Sequence, residues 1–270
     1  MCDIVKLGAA QLSELYAQRE NLNKALVAMS DGAGVFCVED LVPTKHCKEI
    51  IELSKTMKAD ATGSIKRLLN RSRAVEEMVL HQAIRCIAKR LFGGDYRLSS
   101  LAVRTMESGS AVDDRHKHVA SAHVDYPYRH LLSRISGNQN PYLGVPLGLQ
   151  VLVPLVDLNE DTGATAYIPK SQKYYREPSQ EEFQSALNSG VAKKLHIRAG
   201  TAAMWWGPLW HSAMPNRSGK DRIVVTMLFG PRFLNHPQML REMYPSSYLK
   251  SCSPELQELI GVHDIYPKVY

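Results

Sequence analysis

His123-Val124-Asp125 sets an imidazole and a carboxylate two residues apart. On an extended backbone the side chains alternate, so residues two apart project to the same face. Two imidazoles and one carboxylate on one side of a metal leave the opposite side open, the pattern of non-haem iron sites. A second histidine, His211, closes the aromatic stretch Trp205-Trp206-Gly207-Pro208-Leu209-Trp210, and Arg222 opens the apolar run 223–229 further on. A lone His-x-Asp arises by chance in any long chain; the ordered set of four is far more restrictive. His116-Lys117-His118 is a competing pair, but no carboxylate follows it. Asp113, Asp114 and Arg115 beside it mark a surface loop or edge strand.

Two further stretches join this set, Gly163-Ala164-Thr165-Ala166-Tyr167-Ile168-Pro169-Lys170-Ser171 and Trp210-His211-Ser212-Ala213-Met214-Pro215-Asn216. With them, the segment from about Arg97 to Arg232 resembles the phytanoyl-CoA dioxygenase-like (PhyH) family of Fe(II)/2-oxoglutarate-dependent oxygenases. The resemblance implies a double-stranded β-helix (jelly roll, cupin-like) core, Fe(II) as metal, 2-oxoglutarate and O2 as cosubstrates, and stimulation by ascorbate. It implies that His123, Asp125 and His211 are the catalytic metal ligands and that Arg222 holds the distal carboxylate of 2-oxoglutarate. A guanidinium fork suits that task because it pairs bidentately and keeps its charge when buried. Thr165 is carried over as a second contact to the same carboxylate, and Thr105 as a polar cosubstrate contact on the strand before His-x-Asp. Gln150 is the polar residue of its strand, on one face with Leu152 and Pro154, which suggests either a place in the pocket wall or an edge position facing water. Tyr126, Tyr128 and Trp206 are expected to wall the substrate pocket.

The chain departs from the family pattern in three places. Ala120 and Ala213 stand where relatives often carry a cosubstrate-contacting side chain, and Lys170-Ser171-Gln172 replaces the usual Gly-Ser-His. The first two put the details of 2-oxoglutarate binding in question, and the third affects a turn. The function implied is oxidation of a small-molecule metabolite, by hydroxylation or by desaturation or cyclisation, as in a biosynthetic pathway. Asp125 argues against a halogenase, which needs that coordination position for halide. A catalytically silent metal-binding or sensor protein of the same fold, and a protein or nucleic-acid hydroxylase, stay open as alternatives.

The composition is that of an ordinary globular protein: 270 residues, 44% hydrophobic and 22% charged. Its five cysteines (Cys2, Cys37, Cys47, Cys86, Cys252) form no Cys-x-x-Cys pair, which predicts free thiols and a cytoplasmic location. Asp3 and Lys6 interrupt any leader-like apolar run. The longest apolar stretch, Leu147 to Val156, is too short to span a bilayer, so no membrane partner is expected. The net charge is +6, with basic clusters at Lys66, Arg67, Arg71, Arg73 and at Arg85, Lys89, Arg90. Without interleaved aromatics these read as solvated helix faces, and no nucleic-acid partner is expected.

One domain is expected over 1–270: a helical N-terminal layer (1–95), a β core (about 96–232) and a helical tail (233–270). Apolar spacing predicts helices over 9–29, 44–57 with Thr44 as N-cap, and 72–91. Short strands separated by Gly and Pro turns then indicate a mainly β sandwich or jelly roll. Tyr126 to Pro146 has no period and begins beside Asp125. Its length predicts a binding loop or mobile cover, with a plain surface connection as the alternative.

Overall fold

The computed structural model describes residues 5–8, 19–109, 122–129 and 146–264. Its strands are β1 (Val5–Gly8), β2 (Val35–Glu39), β3 (Ser64–Ile65), β4 (Tyr96–Met106), β5 (Leu149–Pro154), β6 (Thr165–Tyr167), β7 (Lys193–Lys194), β8 (Ala202–Trp206), β9 (His211–Ala213) and β10 (Arg222–Pro231). Seven form a large sheet in the order β1-β2-β8-β5-β10-β4-β3, and three form a small one, β7-β6-β9. Apart from the parallel β1–β2 pair, neighbouring strands run antiparallel. The α-helices are α1 (Arg19–Ser30), α2 (Thr44–Lys55), α3 (Arg73–Val79), α4 (Gln82–Phe92), α5 (Gln180–Asn188), α6 (Leu240–Met243), α7 (Ser246–Ser251) and α8 (Pro254–Leu259).

Strand alternation sorts the apolar residues into two layers. Ile223, Val225, Met227 and Phe229 of β10 join Leu101 and Val103 of β4 and Val151 and Val153 of β5 in a core covered by α1–α4. Val224, Leu152, Ala203 and Trp205 face the other way, into a second cluster with Tyr167, Leu195 and Ile197. Each fully buried Val, Leu, Ile, Met or Phe side chain among them contributes about 1.5–3 kcal/mol. The large sheet is thus covered on one face by helices, while its other face, toward the small sheet, is free to build a pocket.

The expected β sandwich with flanking helices is present, and the differences have local causes. The layer expected to be helical over 1–95 also supplies β1, β2 and β3 to the large sheet; of these, β2 is the apolar run Val35-Phe36-Cys37-Val38, which the sequence already marks as a short strand. Val35 to Val38 are wholly buried, so this run needs partners on both sides and finds them in β1 and β8. The helix expected over 72–91 is two helices. The break comes at Leu80-His81, where the His81 ring accepts the Ala83 N–H at 3.2 Å and caps α4. Pro43, not Thr44, is the N-cap of α2; its carbonyl takes the His46 and Cys47 N–H groups at 2.9 and 3.1 Å. The helix expected over 9–29 is seen as α1, its earlier half lying outside the described residues.

One edge of the large sheet closes in two parts. β3 pairs with Val103 and Arg104 of β4. Further along β4, a bulge at Ser99 shifts the register against β10, and residues 236–238 dock there. Gln238 N–H donates to the Ser99 carbonyl at 3.1 Å, Leu101 N–H donates to Gln238 Oε1 at 3.2 Å, and Ser99 Oγ lies 2.6 Å from His236 Nδ1. Arg97 of the same strand is clamped by both oxygens of Asp264 at 2.7 and 2.5 Å.

Candidate active site

His123 and His211 are joined by a single antiparallel bridge, each N–H donating to the other's carbonyl, at 3.0 and 3.1 Å. The His-x-Asp segment is therefore not part of a regular strand, contrary to expectation. The bridge and the Asp125 N–H bond to the Gly207 carbonyl, at 2.8 Å, hold it across the end of β9. Val124 between them points into a separate cluster with Tyr128, Trp206 and Trp210.

The ligand-type atoms of His123, Asp125 and His211 all lie within 4.8 Å of one another. The two rings sit 4.4 Å apart between centroids, and Asp125 Oδ1 is 3.7 Å from His211 Nε2. Their orientation is fixed from behind. His211 Nδ1 lies 2.9 Å from the Leu209 carbonyl, an acceptor, so Nδ1 carries the proton and Nε2 presents its lone pair. The Trp205 indole N–H donates to Asp125 Oδ2 at 2.8 Å, leaving Oδ1 toward the histidines. Supporting hydrogen bonds of this kind set tautomer and ligand direction. Among the described residues no other group of three His, Cys, Asp or Glu side chains comes together in this way. Trp205→Phe keeps most of the bulk and removes the donor. It should weaken metal affinity by about 10–100-fold, as read by competition with a chromophoric chelator.

Arg222 opens β10 and is only 6% exposed. Its Nη1 donates to the Gly163 carbonyl, while Nε is buried without a partner. Burial pulls the guanidinium down to about 10, so at neutral pH it stays charged, with no ion-pair partner among the described residues. Gly163 holds the carbonyl in place with φ of +76°, and a Cβ there would come within 2.3 Å of the Met214 carbonyl. Gly163→Ala should cost about 1–3 kcal/mol by chemical denaturation and displace the Arg222 head.

All of these groups open into one cavity of about 940 Å³. His123, Asp125, His211, Arg222, Thr165, Gln150 and Tyr126 line it, as does Ala213, which pairs with Thr165 across β6 and β9. Thr105 does not line it. Its register partner is Ile223, in the helix-covered core, so alternation puts Arg104 into the cavity in its place. Tyr128 and Trp206 lie behind the wall rather than on it. Tyr128 is fully buried, and its hydroxyl accepts from Trp206 Nε1 at 2.6 Å and from Leu147 N at 2.8 Å. The lining tryptophan is Trp205. Asn235, His236 and Pro237 form an end wall that the sequence did not suggest, tethered by the Tyr126 hydroxyl to the Asn235 carbonyl. Ser171-Gln172-Lys173 forms a short 3-10 turn, and the buried Gln172 side chain reaches out of it to donate to the Ser30 carbonyl at 3.1 Å. Ala120, the 116–118 pair and residues 130–145 of the expected cover lie outside the described residues.

Two facing sheets with this cluster and a buried arginine on the inner side define a double-stranded β-helix protein. The Phytanoyl-CoA dioxygenase (PhyH) family model matches residues 7–224, and the chain belongs to that family. Among curated proteins it is similar to Dioxygenase cdmA of Talaromyces verruculosus, 23% identical over 218 residues, covering 81% of this chain and 63% of the relative. Dioxygenase andF of Emericella variicolor is 25% identical over 195 residues, 68% of this chain and 59% of the relative. The chain thus spans about three fifths of the length of these relatives. Among solved structures, HygX from Streptomyces hygroscopicus with nickel and 2-oxoglutarate bound superposes with a TM-score of 0.58. It is 15% identical, over 80% of this chain and 88% of that one. The non-haem α-ketoglutarate-dependent epimerase SnoN from nogalamycin biosynthesis gives a TM-score of 0.55 at 16% identity, over 79% and 84% of the two chains. These structural likenesses establish the shared fold. No helix among the described residues is long and apolar enough to cross a membrane.

Proposed function

We propose that this chain is an Fe(II)- and 2-oxoglutarate-dependent dioxygenase that oxidises a small-molecule metabolite of a biosynthetic pathway. The observation that carries the reading is one cavity holding three convergent ligand-type groups and a buried arginine whose Nε has no partner. His123, Asp125 and His211 would hold the metal, a donor set of nitrogen and oxygen that suits iron. Arg222, with the Thr165 hydroxyl, would take the distal carboxylate of 2-oxoglutarate. When bound, the metal and 2-oxoglutarate supply the activation of O2 needed to oxidise a C–H bond, with hydroxylation, desaturation or ring closure as outcomes.

The protein's own residues do the positioning. Leu209 and Trp205 fix the donor atoms, the His123–His211 bridge fixes their spacing, and apolar Leu152, Val224 and Leu228 keep water from the cavity floor. The dioxygenase names of the curated relatives and the 2-oxoglutarate held by HygX support this reading. HygX has also been crystallised with hygromycin B, which supports a small-molecule substrate. Cys37, Cys47 and Cys86 are buried and joined in no disulfide among the described residues, in keeping with a reducing cytoplasm, and the chain is taken as one domain. The test is succinate release from 2-oxoglutarate in air with iron and ascorbate. Metal-dependent release supports the proposal. Binding of metal without binding or turnover of 2-oxoglutarate would favour a silent relative of the fold.

A further inference from the structure

The proposed chemistry leaves one charged group in the cavity without a task. Arg104 stands on β4 between Ser64 of β3 and Val224 of β10 and lines the same cavity as the His-Asp-His cluster. Burial disfavours its charged form, and the nearby acids that act on it are Asp60 and Asp125. Neither is free to neutralise it. Asp60 pairs with Lys66 at 2.7 Å and accepts from Thr62 and Ser64. Asp125 faces the histidines and takes the Trp205 N–H.

Among the described side chains the cavity has three guanidinium groups, Arg104, Arg129 and Arg222, against the single carboxylate of Asp125. Arg129 has Glu177 beside it at 3.8 Å. A divalent metal and a 2-oxoglutarate dianion would cancel each other. Arg222 and the metal together would also occupy both carboxylates of 2-oxoglutarate. Among the described residues Arg104 is left as a half-buried cation in the cavity of the metal donors with no ion-pair partner of its own, and such a charge is costly unless a ligand pairs with it.

We propose that Arg104 anchors a carboxylate of the primary substrate, so that the site selects acidic small molecules; this rests on the function proposed above. The anchor is distinct from Arg222. It stands on the neighbouring strand and lines the same cavity as Asp125, so an anion held there would place the rest of the substrate in the cavity that holds the metal donors. The same chemistry could be met by the C1 carboxylate of 2-oxoglutarate, and the experiment separates the two sources.

The test uses the full chain loaded with Zn(II) and 2-oxoglutarate, and matched pairs of naphthoic and biphenyl carboxylic acids with their methyl esters. Binding is followed by saturation-transfer NMR, and 2-oxoglutarate affinity by tryptophan fluorescence. The wild type should bind the acids at least about tenfold more tightly than the esters, the scale of one charge-assisted hydrogen bond. Arg104→Gln should lose that preference while its 2-oxoglutarate affinity changes by less than about twofold, and Arg104→Lys should restore part of it. Thermal unfolding confirms that both variants are folded. A wild type without acid preference, or an Arg104→Gln variant that keeps it, overturns the proposal. A fall of about tenfold or more in 2-oxoglutarate affinity in Arg104→Gln also overturns it, by assigning the anion to the cosubstrate. A wild type that takes up neither zinc nor 2-oxoglutarate overturns the proposed function itself, and this inference with it.

Discussion

His211→Ala is expected to abolish turnover and to empty the metal site while the protein stays folded. In the proposed site the imidazole would supply one of three donors, so its loss should exceed the roughly 10–100-fold in metal affinity that removal of a supporting contact costs. The fold should survive because the link between His123 and His211 is made by backbone N–H and carbonyl groups, at 3.0 and 3.1 Å, that alanine retains. Iron content after reconstitution and 2-oxoglutarate-dependent succinate release are the measurements. Near-normal iron and activity in the purified variant would remove His211 from the metal set.

Arg222→Ala should act on the cosubstrate rather than the metal. Truncating one partner of a buried charge pair costs about 2–5 kcal/mol, which is a rise of about 30- to several thousand-fold in the dissociation constant for 2-oxoglutarate. Anaerobic titration of the Fe(II)-loaded protein reads this directly, and an unchanged affinity would sink the assignment. Arg222→Lys should rescue poorly. A lysine offers a point charge in place of a fork, and the guanidinium here must reach both the Gly163 carbonyl and the ligand.

The candidate-site residues that were legible in the sequence are those whose identity is dictated by chemistry. His123, Asp125, His211 and Arg222 are distant along the chain, yet each could be singled out because few side chains do its work. Thr105 and Arg104 show where legibility stopped. Adjacent residues on a strand face opposite sides, so an error of one position exchanges a pocket residue for a core residue. The apolar Leu101 and Val103 share parity with Thr105 and already mark it as facing the helix-covered core. Trp205 and Trp206 pose the same problem, and there the composition gives no parity signal because both neighbours are large aromatics. The end wall, Asn235 to Pro237, was out of reach for another reason. It is placed by the bulge at Ser99 and by a contact with Tyr126 across more than a hundred residues, which no local pattern encodes. The split of the 72–91 helix depended on a histidine cap, a use of that side chain that periodicity does not reveal.

The docking of residues 236–238 on β4 has a consequence for solution behaviour. The exposed edge of a sheet is a row of unpaired donors and acceptors that invites strands from other molecules. Here the short β3 covers one end of that edge, and Gln238 engages the Ser99 carbonyl and the Leu101 N–H at the other. The pocket's end wall is therefore also a guard on the sheet. Shortening the chain before His236 would open the cavity and uncover the ladder together, so loss of activity and a tendency to aggregate should appear in the same truncation.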